Sequence, residues 1–221
     1  MREFDALKGY PEPLEPRRVN ERTFQSRLIA CERGPEFFDG ARPNGYGGLK
    51  NDGRWAPIAA FMAKEYGLAP RARILQIQAE KGFLLGEFAK LNFAVFGTDT
   101  SRYARECADV PLDDAEPHCT PYPGRYFDLV IAIGPVYTQT LTGAVRVLRE
   151  IERVKKEDGH SFITLGAYEQ PGDFWLMRSW SLLGETILKK ADWMDVMRHA
   201  GYRGDYKFNT ATTLNLKWSW G

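Results

Sequence analysis

The sequence lacks a charge excess of either sign: 30 basic against 29 acidic residues leave a formal net charge of +1. With no field to gather phosphates or lipid headgroups, no nucleic acid and no membrane partner is expected. Long apolar runs are also missing, and Met1-Arg2-Glu3-Phe4-Asp5 leads into charged, Pro-containing sequence instead of an apolar leader, so a cytoplasmic protein is expected. Cys31, Cys107 and Cys119 are odd in number with no C-x-x-C spacing, which argues against a disulfide framework. Spaced metal ligands are lacking too: His118-Cys119 lies near Asp113 and Asp114, but adjacent strand residues face opposite ways, and no metal is expected. No Ser-His-Asp or Cys-His order stands out. What remains is a chain of 221 residues, long enough to bury a substantial core as one α/β domain with an N-terminal extension.

The most informative stretch runs from Ala72 to Ser101. Arg73-Ile74-Leu75-Gln76-Ile77 reads as a strand that stops at Gln78-Ala79-Glu80-Lys81-Gly82. Leu84, Leu85, Phe88 and Leu91 then share one helix face, and Phe93 to Asp99 returns as a second strand. In such a βαβ unit the turn after the first strand is where open α/β sheets bind nucleotide-like ligands. Asp99, closing the second strand, is placed to accept hydrogen bonds from two ribose hydroxyls; it could equally cap the helix that Ser101 opens.

Elsewhere, residues 1 to about 20 carry Pro11, Pro13 and Pro16 among charges, a composition that resists regular structure. A helix is expected over Glu21 to Glu32, capped by Asn20 or Thr23 and stopped by Gly34-Pro35. The segment Phe37 to Trp55 is dense in glycine and aromatics, and serves either to bring backbone close to a ligand or simply as a long connection. Helices follow at Trp55 to Tyr66, Arg102 to Asp109, Leu141 to Lys156 with Leu141 inward, Phe174 to Thr186 and Ala191 to Ala200. Further strands are expected around His118-Cys119-Thr120, at Tyr126 to Ile133 and at His160 to Ala167, with a terminal hairpin between Tyr202 and Trp220. Trp175, Trp180 and Trp193 on the late helices read as core. This alternation predicts a doubly wound, mostly parallel sheet with an antiparallel finish.

At Phe38-Asp39-Gly40, Gly45-Tyr46-Gly47-Gly48, Asp52-Gly53-Arg54-Trp55, Lys81-Gly82-Phe83-Leu84-Leu85, Asp99-Thr100-Ser101, Phe127-Asp128-Leu129-Val130 and Gly201-Tyr202 the chain resembles the class I S-adenosylmethionine-dependent methyltransferases. Within them it is similar to a methyltransferase-domain group of bacterial surface-sugar biosynthesis. The resemblance implies a seven-stranded Rossmann-like sheet over 55–221, preceded by an N-terminal extension with the Gly-rich loop over 1–54. It implies S-adenosylmethionine held by Gln76, Gln78, Ala79, Gly82, Asp99, Thr100 and Ile133, with Asp52 and Tyr137 as catalytic candidates and Tyr46 and Arg54 toward a small-molecule acceptor such as a sugar hydroxyl.

The first turn departs from that family's acidic residue and G-x-G-x-G. Gln76 stands at the acidic position, Gln78 and Glu80 at the first two glycines, and only Gly82 remains. A Cβ forced into a left-handed conformation costs about 1 to 2 kcal/mol. A Glu80 carboxylate beside a cofactor carboxylate would cost about 4 kcal/mol at ~4 Å and an effective dielectric of ~20. These substitutions open an alternative: a protein that keeps the fold, has lost cofactor binding, and serves as a binding or regulatory partner of another protein.

Overall fold

The computed structural model describes residues 1–11, 15–19 and 22–218; Pro13, Asn20, Glu21 and Trp220, named above, lie outside them. Two short strands, β1 (Arg2–Glu3) and β2 (Arg17–Arg18), precede helices α1 (Phe24–Glu32), α2 (Pro35–Phe38) and α3 (Ala56–Glu65). The central unit is β3 (Arg73–Ile77), α4 (Phe83–Lys90) and β4 (Ala94–Thr98). Then come α5 (Arg102–Glu106), β5 (Phe127–Ala132), α6 (Leu141–Val154), β6 (Lys155–Tyr168), α7 (Pro171–Trp180), β7 (Leu188–Lys189), α8 (Lys190–Ala200), β8 (Asp205–Asn209) and β9 (Leu216–Lys217).

One sheet of seven strands has the order β1-β8-β6-β5-β3-β4, with β7 on β6, flanked by helices on both faces. Alternate residues along each strand divide between two cores because side chains of a strand point to opposite faces. Leu75, Ile77, Val130, Ala132, Ile163 and Leu165 pack under α6 and α8. Ile74, Leu129, Ile131 and Phe162 pack with Ile58, Met62, Leu84 and Phe88 of α3 and α4. Helix starts follow local chemistry: Thr23 and Ser26 form a capping box at α1, and the Ser101 hydroxyl accepts from the Ala104 N–H at 3.0 Å. Gly201 closes α8 at φ 76°, where a left-handed residue is needed.

Several expectations are corrected. No strand forms around His118-Cys119-Thr120: Pro111, Pro117, Pro121 and Pro123 interrupt the segment, and the outer edge of β4 meets only a Thr98–Asp113 bridge. Thr120 turns instead to Glu150, which accepts from its N–H at 2.8 Å and its hydroxyl at 2.7 Å. The terminal hairpin does not form among the described residues either. Strand β8 runs parallel to β6, because α8 carries the chain back across the sheet before it enters β8, and β9 leaves the main sheet to pair in parallel with β2. The antiparallel finish therefore does not occur, and every strand pairing among the described residues is parallel.

The helix expected over Phe174 to Thr186 is Pro171–Trp180 and ends where Ser181 turns extended; Gly184 then passes so close to Ser181 that a Cβ would lie 2.4 Å from its Oγ. The described residues among the first 19 are less irregular than the composition suggests, since β1 adds to the sheet edge and Ala6 and Val19 are buried. Leu91 and Leu141 reach solvent rather than core, each lying at a helix end where the apolar stripe has rotated off the sheet. Trp193 is buried with its indole N–H donating to the Gly166 carbonyl at 2.8 Å, whereas Trp175 is exposed. No helix among the described residues is long and apolar enough to cross a membrane.

Candidate functional site

The turn that leaves β3 holds three left-handed residues in alternation: Gln78 at φ 53°, Glu80 at φ 57° and Gly82 at φ 67°. All three positions at which the resemblance puts glycine thus keep a glycine-like backbone, two of them with side chains. Gln78 recovers part of the strain by donating its amide to the Thr100 hydroxyl at 3.0 Å. Ala79 is buried, its N–H on the Thr98 carbonyl at 2.8 Å. Gln76 is buried one step earlier, and its Oε1 has no hydrogen-bond partner.

Asp99 lies beside this turn with both carboxylate oxygens engaged by the protein itself. Oδ1 accepts from Arg33 Nη2 at 3.1 Å and from the Ser101 N–H at 2.8 Å. Oδ2 accepts from the same Arg33 nitrogen at 3.1 Å and from the Glu80 N–H at 2.8 Å. A carboxylate offers about four acceptor positions, and here all are filled. The Asp99 side chain is 0% exposed and that of Arg33 17%.

Arg33 comes from the far end of the sequence, and a strap of residues 23–49 carries it. It caps α1 in the left-handed region at φ 48°, and its carbonyl accepts from the Ser101 hydroxyl at 2.6 Å. Further along, Asp39 binds Lys81 Nζ with both oxygens at 2.7 Å and accepts from Tyr103 at 2.5 Å, while the Leu49 carbonyl accepts from Lys81 at 3.1 Å. Tyr46 stacks on Phe38 with ring centroids 5.8 Å apart and donates its hydroxyl to Glu80. Gly45 is extended, yet a Cβ there would lie 1.9 Å from the Phe37 carbonyl oxygen, so this glycine serves close packing of the strap on itself.

The Glu80 residue keeps some surface in solvent, but its carboxyl end is enclosed. Burial pushes that carboxyl up to about 8; the neighbouring Asp99 adds to the rise and the Arg33 cation opposes it. Glu80 is accordingly a neutral acid near pH 7, and the repulsion expected from a carboxylate in this turn is largely removed. The Tyr137 phenol, also buried, rises to about 12, from burial first and then from Glu80, with Arg22 opposing. Its carbonyl accepts from the Glu185 and Thr186 N–H groups at 3.0 Å, which fixes the loop after β5.

Tyr46, Gln78, Ala79, Gly82, Asp99 and Thr100 thus gather at one turn, with Tyr137 electrostatically coupled to Glu80; Ile133 lies just past the end of β5. Asp52 and Arg54 turn to each other instead, with Arg54 Nε at 2.8 and 2.9 Å from the Asp52 oxygens and Arg54 Nη1 on the Tyr10 hydroxyl at 3.1 Å. The Asp52 carboxyl is held down at about 2 by Arg54, which weakens it as a base. Arg33 escaped the sequence reading, and Asp39 entered it only within the Phe38-Asp39-Gly40 motif, with no site role. Arg33 lies 66 residues from its partner, and no spacing rule links a helix-ending arginine to a strand-ending aspartate across that separation.

At the opposite ends of the strands a cavity of about 450 Å³ is lined by Arg125, Arg153, Lys155, Lys156 and Arg203 with Glu152 and Glu157. Carboxylates already pair most of these cations: Arg153 with Glu150, Lys155 and Arg203 with Glu152, Lys156 with Asp128.

No family model matches this sequence, and no curated protein does. Solved structures show the fold. A candidate methyltransferase from Bacillus halodurans superposes with TM-score 0.56 at 17% identity, covering 65% of this chain and 68% of its own. The candidate methyltransferase solved in complex with the Trm112 methyltransferase activator of Haloferax volcanii gives 0.52 at 18%, covering 66% and 72%. The cyclase SpnF gives 0.53 at 21%, covering 66% and 56%. The matched part spans 56 to 72% of the length of these structures, and the sheet is that of the Rossmann-like methyltransferase fold.

In the arrangement described, the two Asp99 acceptor positions that ribose hydroxyls would use are taken by Arg33, beside the Glu80 and Ser101 N–H groups.

Proposed function

We propose that this protein is an S-adenosylmethionine-dependent methyltransferase acting on a small-molecule acceptor, with its cofactor seat closed in the state described. One observation carries the reading: the group that blocks Asp99 is Arg33, on the strap, whereas the turn itself keeps left-handed backbone at Gln78, Glu80 and Gly82. Withdrawal of one side chain would return two acceptor positions to Asp99. Glu80, neutral near pH 7, would then present a hydroxyl rather than a negative charge to an anionic ligand group. Asp52, paired with Arg54 and held down by it, is a weak base in this reading, and a sugar or sugar-derived hydroxyl is the acceptor that the family resemblance suggests.

A second reading, a fold that has lost the cofactor and works through a protein partner, draws on the same saturation of Asp99 and on the Gln78 and Glu80 side chains. A likeness of fold to a methyltransferase bound by a protein activator is compatible with it, and so is a likeness to a cyclase.

Calorimetric titration with S-adenosylhomocysteine separates the two. The first reading expects micromolar binding by the wild-type chain and at least tenfold tighter binding by the Gln76→Asp, Gln78→Gly, Glu80→Gly variant. No heat and no thermal shift with either protein at millimolar ligand would overturn it in favour of the second.

A further inference from the structure

We infer that Arg33 is an internal stand-in for ligand hydroxyls, and that the strap of residues 23–49 closes the site by docking this guanidinium on Asp99. The inference rests on the methyltransferase reading only for the identity of the ligand.

The hydrogen-bond inventory is lopsided. Asp99 is fully satisfied, but a single Arg33 nitrogen supplies two of its four bonds, bridging both oxygens at 3.1 Å. The Arg33 Nε is buried without a partner, and the ring faces of Phe37 and Phe38 lie 5.8 and 5.7 Å from its guanidinium carbon. A buried donor left unmade is unfavourable, so the closed state satisfies the carboxylate better than the cation. Two adjacent ribose hydroxyls would give one donor to each Asp99 oxygen. Arg33 would regain water on leaving. The Glu80 and Ser101 N–H bonds to Asp99 belong to the turn and to α5, so they persist through the exchange.

Other fastenings set what must move with Arg33. Arg27 of α1 donates to the Arg178, Ser181 and Leu182 carbonyls at 2.6, 2.9 and 3.3 Å, which anchors the helix. Lys81 and Tyr103 hold Asp39, and Tyr46 holds Glu80. The piece after the anchored helix, from Arg33 to Leu49, is the part that covers the turn, and its own bonds at Asp39, Tyr46 and Leu49 must loosen with Arg33. Gly34 and Gly48, where an added Cβ would meet nothing within 4 Å, give it places to bend.

The test is amide exchange over residues 34–49 together with calorimetric titration of S-adenosylhomocysteine, on the full chain as wild type and as Arg33→Met, which keeps the stem against Phe37 and Phe38 and removes the guanidinium. The expected result is at least tenfold faster exchange across the strap and at least tenfold tighter binding in the variant, with the wild-type strap exchanging faster when ligand is present. Faster exchange without binding in either protein would uphold the strap and sink the methyltransferase reading. Unchanged exchange in Arg33→Met would overturn the inference, and ligand binding with an unchanged strap would leave the methyltransferase reading standing without it. Should Arg33→Met fail to fold, Arg33→Lys, which retains charge but cannot span both oxygens in the same planar way, must show the same ordering of exchange rates.

Discussion

One nitrogen of Arg33 lies 3.1 Å from both carboxylate oxygens of Asp99, inside a shell that leaves the aspartate no exposure. This contact joins the N-terminal segment to the end of β4, and it makes Asp99 a structural residue in the closed state whatever ligand the open state takes. Asp99→Asn keeps the volume and strands the guanidinium. A stability loss of about 3 to 5 kcal/mol is expected in chemical denaturation, the range for breaking a buried pair from one side. Arg33→Met should cost less, because Asp99 keeps two backbone N–H partners. A loss below about 1 kcal/mol for Asp99→Asn would show that the pair is not buried in solution.

Glu80 gives a pH dependence of definite sign. Its carboxyl is raised from 4.5 to about 8 in the folded protein by burial, with Asp99 reinforcing and Arg33 opposing. The folded state therefore holds a proton that the unfolded chain releases, so this group's contribution to stability falls as pH rises from about 4.5 to about 8 and is level above. Relative to Glu80→Gln, which cannot ionise, the wild type should lose about 2 kcal/mol or more between pH 5 and pH 8, read from denaturation midpoints. Parallel pH profiles for the two proteins would refute the burial of this carboxyl.

Gln78 separates backbone strain from side-chain bonding. Its φ of 53° is relieved by glycine, and its amide bond to Thr100 is lost with either glycine or alanine. Gln78→Gly should come out within about 0.5 kcal/mol of wild type, while Gln78→Ala should be about 1 kcal/mol less stable. Thermal unfolding of the pair reads the difference directly.

Gly45→Ala tests the strap's packing. The added Cβ would meet the Phe37 carbonyl oxygen at 1.9 Å and the Phe37 ring at 2.8 Å, distances that only a shift of backbone can relieve. A loss of at least ~2 kcal/mol is expected, with faster amide exchange confined to the strap. Wild-type stability in this variant would mean that the 37–45 contact is not made.

Much of the architecture was legible in the chain because it rests on short-range patterns. Apolar runs at Arg73–Ile77 and Phe127–Ala132, the face shared by Leu84, Leu85 and Phe88, the Ser101 cap and the Gly201 stop each depend on residues within about two turns of one another. The gathering of the turn, Asp99 and Tyr46 followed from fold order and from the family resemblance. The parallel direction of β8 did not, since β-favouring residues after α8 fit a hairpin as well as a crossover strand, and only the path of α8 across the sheet chooses.

By itself the sequence determined the βαβ unit, the doubly wound sheet, the absence of a charge field and the odd composition of the first turn. The tertiary structure alone decided that Gln78 and Glu80 keep a glycine-like backbone, that Asp52 is spent on Arg54, and that Asp99 is filled by Arg33. The reason is physical. Local propensity is set by neighbours along the chain, whereas the satisfaction of a buried carboxylate depends on which donor the fold brings within about 3 Å of it, and nothing in the spacing of residues 33 and 99 encodes that distance.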